Sequence, residues 1–201
     1  MIKRIFLIVF LHVLVIFFLL TTHPQAKEDG WTIEDHGTYI VTSVSGEVIH
    51  GDKLRFVIDR KDCSRVRMMF SFLSYKENSS IYELEGKKIP IIINDFPTDE
   101  LVRADILFVL PLPKTMAQLV VFSSLGSYNI NSFSKGLMDM YFASNLFEIK
   151  LVQDNKFNPN KYFDILENNW RLDDYPQKIT LAKKMCSNVM VDPDKVLFGK
   201  L

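Results

Sequence analysis

Short apolar runs separated by turn residues fill the first two-thirds of the chain after residue 26, at 38–44, 53–58, 66–75, 87–93, 106–110 and 119–125. Their length and β-branched character predict strands. In the second run Leu54, Phe56 and Ile58 share one face while Lys53, Arg55 and Asp59 take the other, the alternation of a sheet with one solvated side. Residues 89–93 and 106–110 are apolar on both faces, as expected of central strands covered twice. Pro90, Pro111 and Pro113 are expected at strand ends or edges, because proline cannot donate to a ladder.

The periodicity lengthens towards the C-terminus. Phe133, Leu137, Met140 and Tyr141 recur at helical spacing after Asn131, the expected cap, with Gly136 as an internal weak point. Asp173, Asp174 and Pro176 then signal a second helix start, and Ile179, Ala182, Cys186, Val189 and Met190 line one face of it. Between the helices, Phe147, Ile149 and Leu151 alternate with Glu148, Lys150 and Val152, predicting a strand at 146–153. Segment 158–172 reads two ways. Tyr162, Phe163, Leu166 and Trp170 fit a helix, whereas Asn168-Asn169 suggests a turn. The expected fold is β-rich (all-β or α+β): one antiparallel sandwich- or barrel-like domain with one or two C-terminal helices. The wide spacing of helices excludes a βαβ array, and no dinucleotide or P-loop glycine motif is present.

The first 26 residues follow a different plan. Lys3 and Arg4 precede an apolar run at 5–20, and small and polar residues lead to Ala26 and the charged Lys27-Glu28-Asp29. This is the layout of a secretory signal peptide. The alternative is an uncleaved membrane anchor through residues 5–22, although the run is short for a span of roughly 20 residues. The expected organisation is therefore a signal at 1–26 and a single extracytoplasmic domain at 27–201. The chain carries 24 basic and 24 acidic side chains, so loss of Lys3 and Arg4 leaves the exported domain slightly acidic. With no basic run of five or more residues, nucleic acid is not an expected partner, and membrane contact is expected only if the N-terminal segment stays attached.

Export also changes what two cysteines mean. In an oxidising compartment Cys63 and Cys186 are expected to form a disulfide that pins the last helix to the sheet. The other readings are two free thiols, or a reactive Cys63 favoured by Arg60, Lys61 and Arg65 and opposed by Asp59 and Asp62. His36 and His50 are the imidazoles left after export. Neither belongs to a zinc motif, and no nucleophile elbow accompanies them, so no metal or cofactor is expected. Of the paired acids, Asp99-Glu100, Asp173-Asp174 and Glu83/Glu85, the last pair would share a strand face at about 7 Å, within the range for inverting glycoside hydrolysis. Glu83 and Glu85 are thus the nearest hydrolase candidates, for a glycan or peptide substrate. Asn78-Ser79-Ser80 is an acceptor sequence for N-glycosylation. The leading expectation is a non-enzymatic binding role towards a protein or glycan of the envelope or host, with the carboxylate hydrolase as the alternative.

Overall fold

A computed structural model describes residues 30–76, 79–94, 102–112 and 119–188. The signal segment, Asn78, Asp99, Glu100, Pro113, Val189 and Met190 lie outside those residues. Nine strands form one antiparallel sheet: β1 (Thr32–Asp35), β2 (Tyr39–Ser45), β3 (Lys53–Asp59), β4 (Arg65–Ser74), β5 (Lys88–Ile93), β6 (Val102–Pro111), β7 (Leu119–Asn129), β8 (Leu146–Leu151) and β9 (Glu167–Arg171). Their order across the sheet is β1-β2-β3-β4-β7-β6-β5-β8-β9. Two helices, α1 (Ile130–Ser144) and α2 (Tyr175–Ser187), and two 3-10 turns, η1 (Ser79–Leu84) and η2 (Pro159–Lys161), complete the fold. The fold is β-rich as the pattern predicts, built as a single sheet that does not close into a barrel.

The sheet curls around its apolar face. Ile40, Leu54, Phe56, Ile58, Val66, Met68, Phe70, Phe72, Ile149 and Trp170 are all buried in one continuous core. Both irregularities of the ladders flank β7. Leu125 is an extra residue in the pairing with β4, and Leu107 an extra residue in the pairing of β6 with β7. Such bulges increase local twist and bend the strand that carries them. The Leu107 bulge also exposes two consecutive apolar residues, Leu107 and Phe108.

Curling brings the two ends of the sheet together. The Trp31 indole N–H donates to the Arg171 carbonyl at 3.0 Å, and Glu47 N–H donates to Asn169 O at 2.9 Å. Asn168 completes the join. Its Oδ1 accepts from Val48 N–H at 3.0 Å, and its Nδ2 donates to Asp52 Oδ2 at 2.8 Å and to Ile49 O at 3.2 Å. The turn between β2 and β3 lies so close to these groups that a Cβ on Gly46 would collide with the Asn168 amide, and one on Gly51 with the Leu73 side chain.

Both helices pack on the curled face. Asn129, not the expected Asn131, caps α1: its Oδ1 accepts from the N–H groups of Asn131 at 3.0 Å and Ser132 at 3.4 Å. Asn145, at φ 57°, terminates it in the left-handed conformation. Helix α2 buries Ile179, Ala182 and Cys186 of the expected stripe, and Tyr175 as well. Its Tyr175 meets Trp31 and Phe56 at ring-centroid distances of 5.2 and 5.1 Å, and Phe133 from α1 meets Phe56 at 5.5 Å. Burying each such ring contributes roughly 1.5–3 kcal/mol.

The end of α2 is fixed twice. Cys63 and Cys186 form the expected disulfide, with Cα atoms 5.8 Å apart. Beside it Arg60 Nη1 donates to the carbonyls of Met185 at 2.8 Å and Asn188 at 3.1 Å, while Nη2 pairs with Asp35 at 2.6 Å. A guanidinium placed here satisfies carbonyls that the helix leaves open and complements its negative end.

Two departures from the sequence reading concern strands. Segment 167–171 is a strand rather than a helix or turn, and residues 32–35 form an edge strand that the pattern did not announce. Pro90 lies inside β5, one residue before the pairing with β8 begins at Ile91, where its carbonyl still accepts from Val152 N–H at 3.2 Å. Its missing N–H forgoes the reciprocal bond to Val152, and the ladder with β8 starts only at Ile91.

Replacing both cysteines by serine is expected to lower the unfolding free energy by up to about 4–5 kcal/mol for the 123-residue separation, read by denaturant melts beside the reduced wild type. Gly136 is exposed within α1, with nothing within 4 Å of an added Cβ. Gly136→Ala should stabilise by about 0.5–1 kcal/mol in the same assay.

Candidate functional site

The expected hydrolase pair is the first constellation to place. Residues 79–84 form η1, so Glu83 lies on a 3-10 turn and Glu85 in the turn that follows, and the shared strand face envisaged for them does not exist. Glu85 is already occupied. Its Oε1 accepts from Val109 N–H at 2.8 Å, where β6 has run beyond the start of β5 and lacks a strand neighbour. The carboxylate supplies the acceptor that a strand would have supplied. Glu83 is exposed.

The two imidazoles are separate as well. His36 is partly exposed, pairs with Glu34 at 3.2 Å and stacks on Tyr39 at 4.9 Å between ring centroids. His50 is exposed on the turn between β2 and β3. Among the described residues, no three His, Cys, Asp or Glu side chains gather where they could hold a metal ion. Asp173 holds Arg171 and accepts from Asn145 Nδ2 at 2.7 Å, and Asp174 caps α2 without a side-chain hydrogen bond.

The structure does build a groove of about 740 Å³ on the solvent side of β1–β4, reaching Ser127 of β7 and Phe108 of β6. Register explains its lining. One row across the strands runs Glu34, Val41, Val57, Arg67 and Ser127, and the next runs Thr32, Ser43, Arg55, Met69 and Ser124. These are the residues that the two-residue period sends away from the core. Glu34 and Arg67 stand three strand spacings apart, about 14 Å, with two valines between them. Lys53 and Arg65 add cations to the lining, and Asp59 and Asp62 add acids close to Arg65.

The cations differ in how they are held. Arg65 is fixed by Ser127, through Nη2 to the carbonyl at 2.7 Å and Nε to the hydroxyl at 3.2 Å. Lys53 Nζ donates to Ser45 Oγ at 2.7 Å, and Arg55 Nη1 to Ser71 Oγ at 3.1 Å. Burial pulls Arg55 down to about 10, opposed by the charge of Glu34, so it stays cationic at neutral pH. Arg67 is exposed, and no carboxylate of the described residues lies within ion-pair distance of it. On the acidic side, hydrogen bonds from the Ser64 side chain and backbone hold Asp62 below the usual carboxylate range, with Arg65 adding to the effect. This arrangement offers forked donors, carboxylate acceptors, hydroxyls and a short apolar floor.

A smaller depression of about 570 Å³ is lined by Lys88, Arg103, Asp154, Asn155 and Lys156. Its charges are mutually engaged, since Arg103 meets Asp154 at 2.8 Å and Lys88 meets Asp105 at 3.5 Å.

The most perturbed carboxyl, Asp52, lies in neither depression. It is fully buried and accepts from Leu73 N–H at 2.6 Å and from Asn168. Burial pushes it up to about 6 against the pull of those two donors. Its role is to hold the join of the sheet. No family model, curated protein or solved structure matches the chain.

The linkage at Asp52 has a definite sign. The unfolded chain releases this proton near 3.8 and the folded protein near 6, so the stabilisation is complete below pH 4 and disappears as pH rises through 6. The magnitude is on the order of 3 kcal/mol. Asp35, Asp62, Asp154 and Asp173, whose pKa values are lowered, act in the opposite sense, losing their contribution as pH falls. Asp52→Asn keeps a carbonyl acceptor for Leu73. The difference between wild type and this variant in unfolding free energy should therefore shift in the variant's favour between pH 4 and 7, measured by urea melts.

Proposed function

We propose that this chain is an extracytoplasmic, non-enzymatic binding domain that engages a macromolecule of the envelope or host through the groove on the solvent side of β1–β4. The observation that carries the reading is the groove itself: a concave surface whose charged and apolar lining is set strand by strand by register, with no acidic partner for Arg67 among the described residues. Other charged side chains serve the fold. Arg60 closes a helix, Asp52 closes the sheet, and Glu85 satisfies a strand edge. Export is supported by the basic and apolar N-terminal segment and by the disulfide, which belongs to oxidising compartments. Among the described residues, no helix is long and apolar enough to cross a membrane.

The test is affinity capture from an envelope preparation with the oxidised mature chain. Capture of a defined partner should survive Glu83→Gln, Glu85→Gln and His50→Ala and should fall at least tenfold with Arg67→Glu. Retention by Arg67→Glu, or loss with the Glu83 and Glu85 replacements while the fold stays intact, would overturn the reading.

A further inference from the structure

We infer that the groove recognises a carboxylate-bearing glycan, with Arg67 as the residue that pairs with the sugar acid. The inference rests on the reading of the groove as the binding face and narrows it to a ligand chemistry. Its floor is made by β2, β3 and β4, interior strands whose backbone groups are committed to ladders on both sides. A peptide cannot add to them as a further strand, so contact falls to side chains. The apolar lining is Val41, Val57 and Met69 along the floor with Phe108 at its β6 end, a short strip in a mainly charged and hydroxyl-bearing surface.

The polar lining is of two kinds at once. Arg67 presents a forked donor suited to a carboxylate, and Arg65, held by Ser127, shares its face of β4 at about 7 Å and adds positive charge there. Glu34 presents an acceptor across β2 and β3, and Asp59 and Asp62 present theirs beside Arg65. A polyphosphate or an acidic peptide side chain meets the arginine but brings no hydroxyl donor to these carboxylates. A sugar chain bearing an acid group satisfies both kinds, its carboxylate taking the guanidinium of Arg67 and its hydroxyls donating to Glu34 and Asp59. Tyr39, stacked on His36 and partly exposed at the edge of the groove, adds a flat ring against which the C–H face of a pyranose packs.

The test titrates the oxidised mature chain with oligogalacturonate, a sialylated oligosaccharide, methyl-esterified oligogalacturonate and oligoglutamate, following backbone amide shifts. At least one of the two acidic sugars should shift amides of β1–β4, and Arg67→Gln should weaken its binding at least tenfold. Esterification should weaken binding of oligogalacturonate similarly if that is the sugar bound. Arg103→Gln, in the second depression, should leave binding within twofold. The thermal melt of the Arg67 variant should match wild type, because its side chain is exposed. Binding of neither acidic sugar, or binding indifferent to Arg67→Gln, overturns the inference. Equal binding of oligoglutamate at the same amides overturns the glycan but keeps the groove as a binding face. Silence of the groove towards all four probes, with capture undiminished in Arg67→Glu, overturns both.

Discussion

A sheet of nine strands with one apolar face has far more surface to hide than two helices can cover, and the molecule resolves this by curvature. Bulges at Leu107 and Leu125 bend the strands on either side of the β7 ladders, the two sheet ends are drawn together, and the apolar face wraps around Trp31, Phe56, Phe72, Trp170 and Tyr175. Everything else follows from holding that curvature. Asn168 and Asp52 bind the turn between β2 and β3 to β9, while Arg60 and the disulfide keep α2 seated against the opposite end. A buried carboxylate is a costly fastener, since desolvation opposes its charge. It is tolerable here because two donors converge on it.

The same curvature explains where a ligand-sized space arises. The inner face is filled, so concavity can be left only where neighbouring strands tilt on the solvent side, and the alternation that places Phe56 inside places Arg55 and Val57 outside. Specificity on that side is then a matter of cross-strand register. A one-residue slip between β3 and β4 would send Arg67 inward and Met68 outward, so the tight ladder is a precondition for any recognition there.

The strands with strong alternation were legible from residues alone, as was the pairing of Cys63 with Cys186, which needed only compartment logic and an odd-looking thiol on an apolar helical stripe. The two outermost strands were not. The segment Thr32–Asp35 has one aliphatic residue and draws its conformation from pairing with β2, whereas Asn168 and Asn169 look like a turn because their side chains compete with the backbone. In the folded protein Asn168 turns that capacity to the join instead. Glu83 and Glu85 misled for a related reason: a spacing of two has meaning only inside a strand, and the segment winds into a 3-10 turn. The groove was visible only as the polar half of an alternating pattern. Which polar residues would stand side by side depends on strand order, where β7 rather than β5 follows β4.

The disulfide divides the molecule topologically. Strands β4 to β9 and both helices lie within the covalent ring that Cys63 and Cys186 close, whereas β1, β2 and β3 hang outside it. A protease that cuts anywhere inside the ring leaves one covalently joined body. A single cut in the turn at 46–52 severs β1 and β2, and with them Glu34, His36 and Tyr39, from the arginines of the groove. Part of the groove lining thus hangs outside the ring, joined to the rest through the turn at 46–52, the ladder between β2 and β3, the Arg60–Asp35 ion pair, the contacts with α2 and the ties to β9.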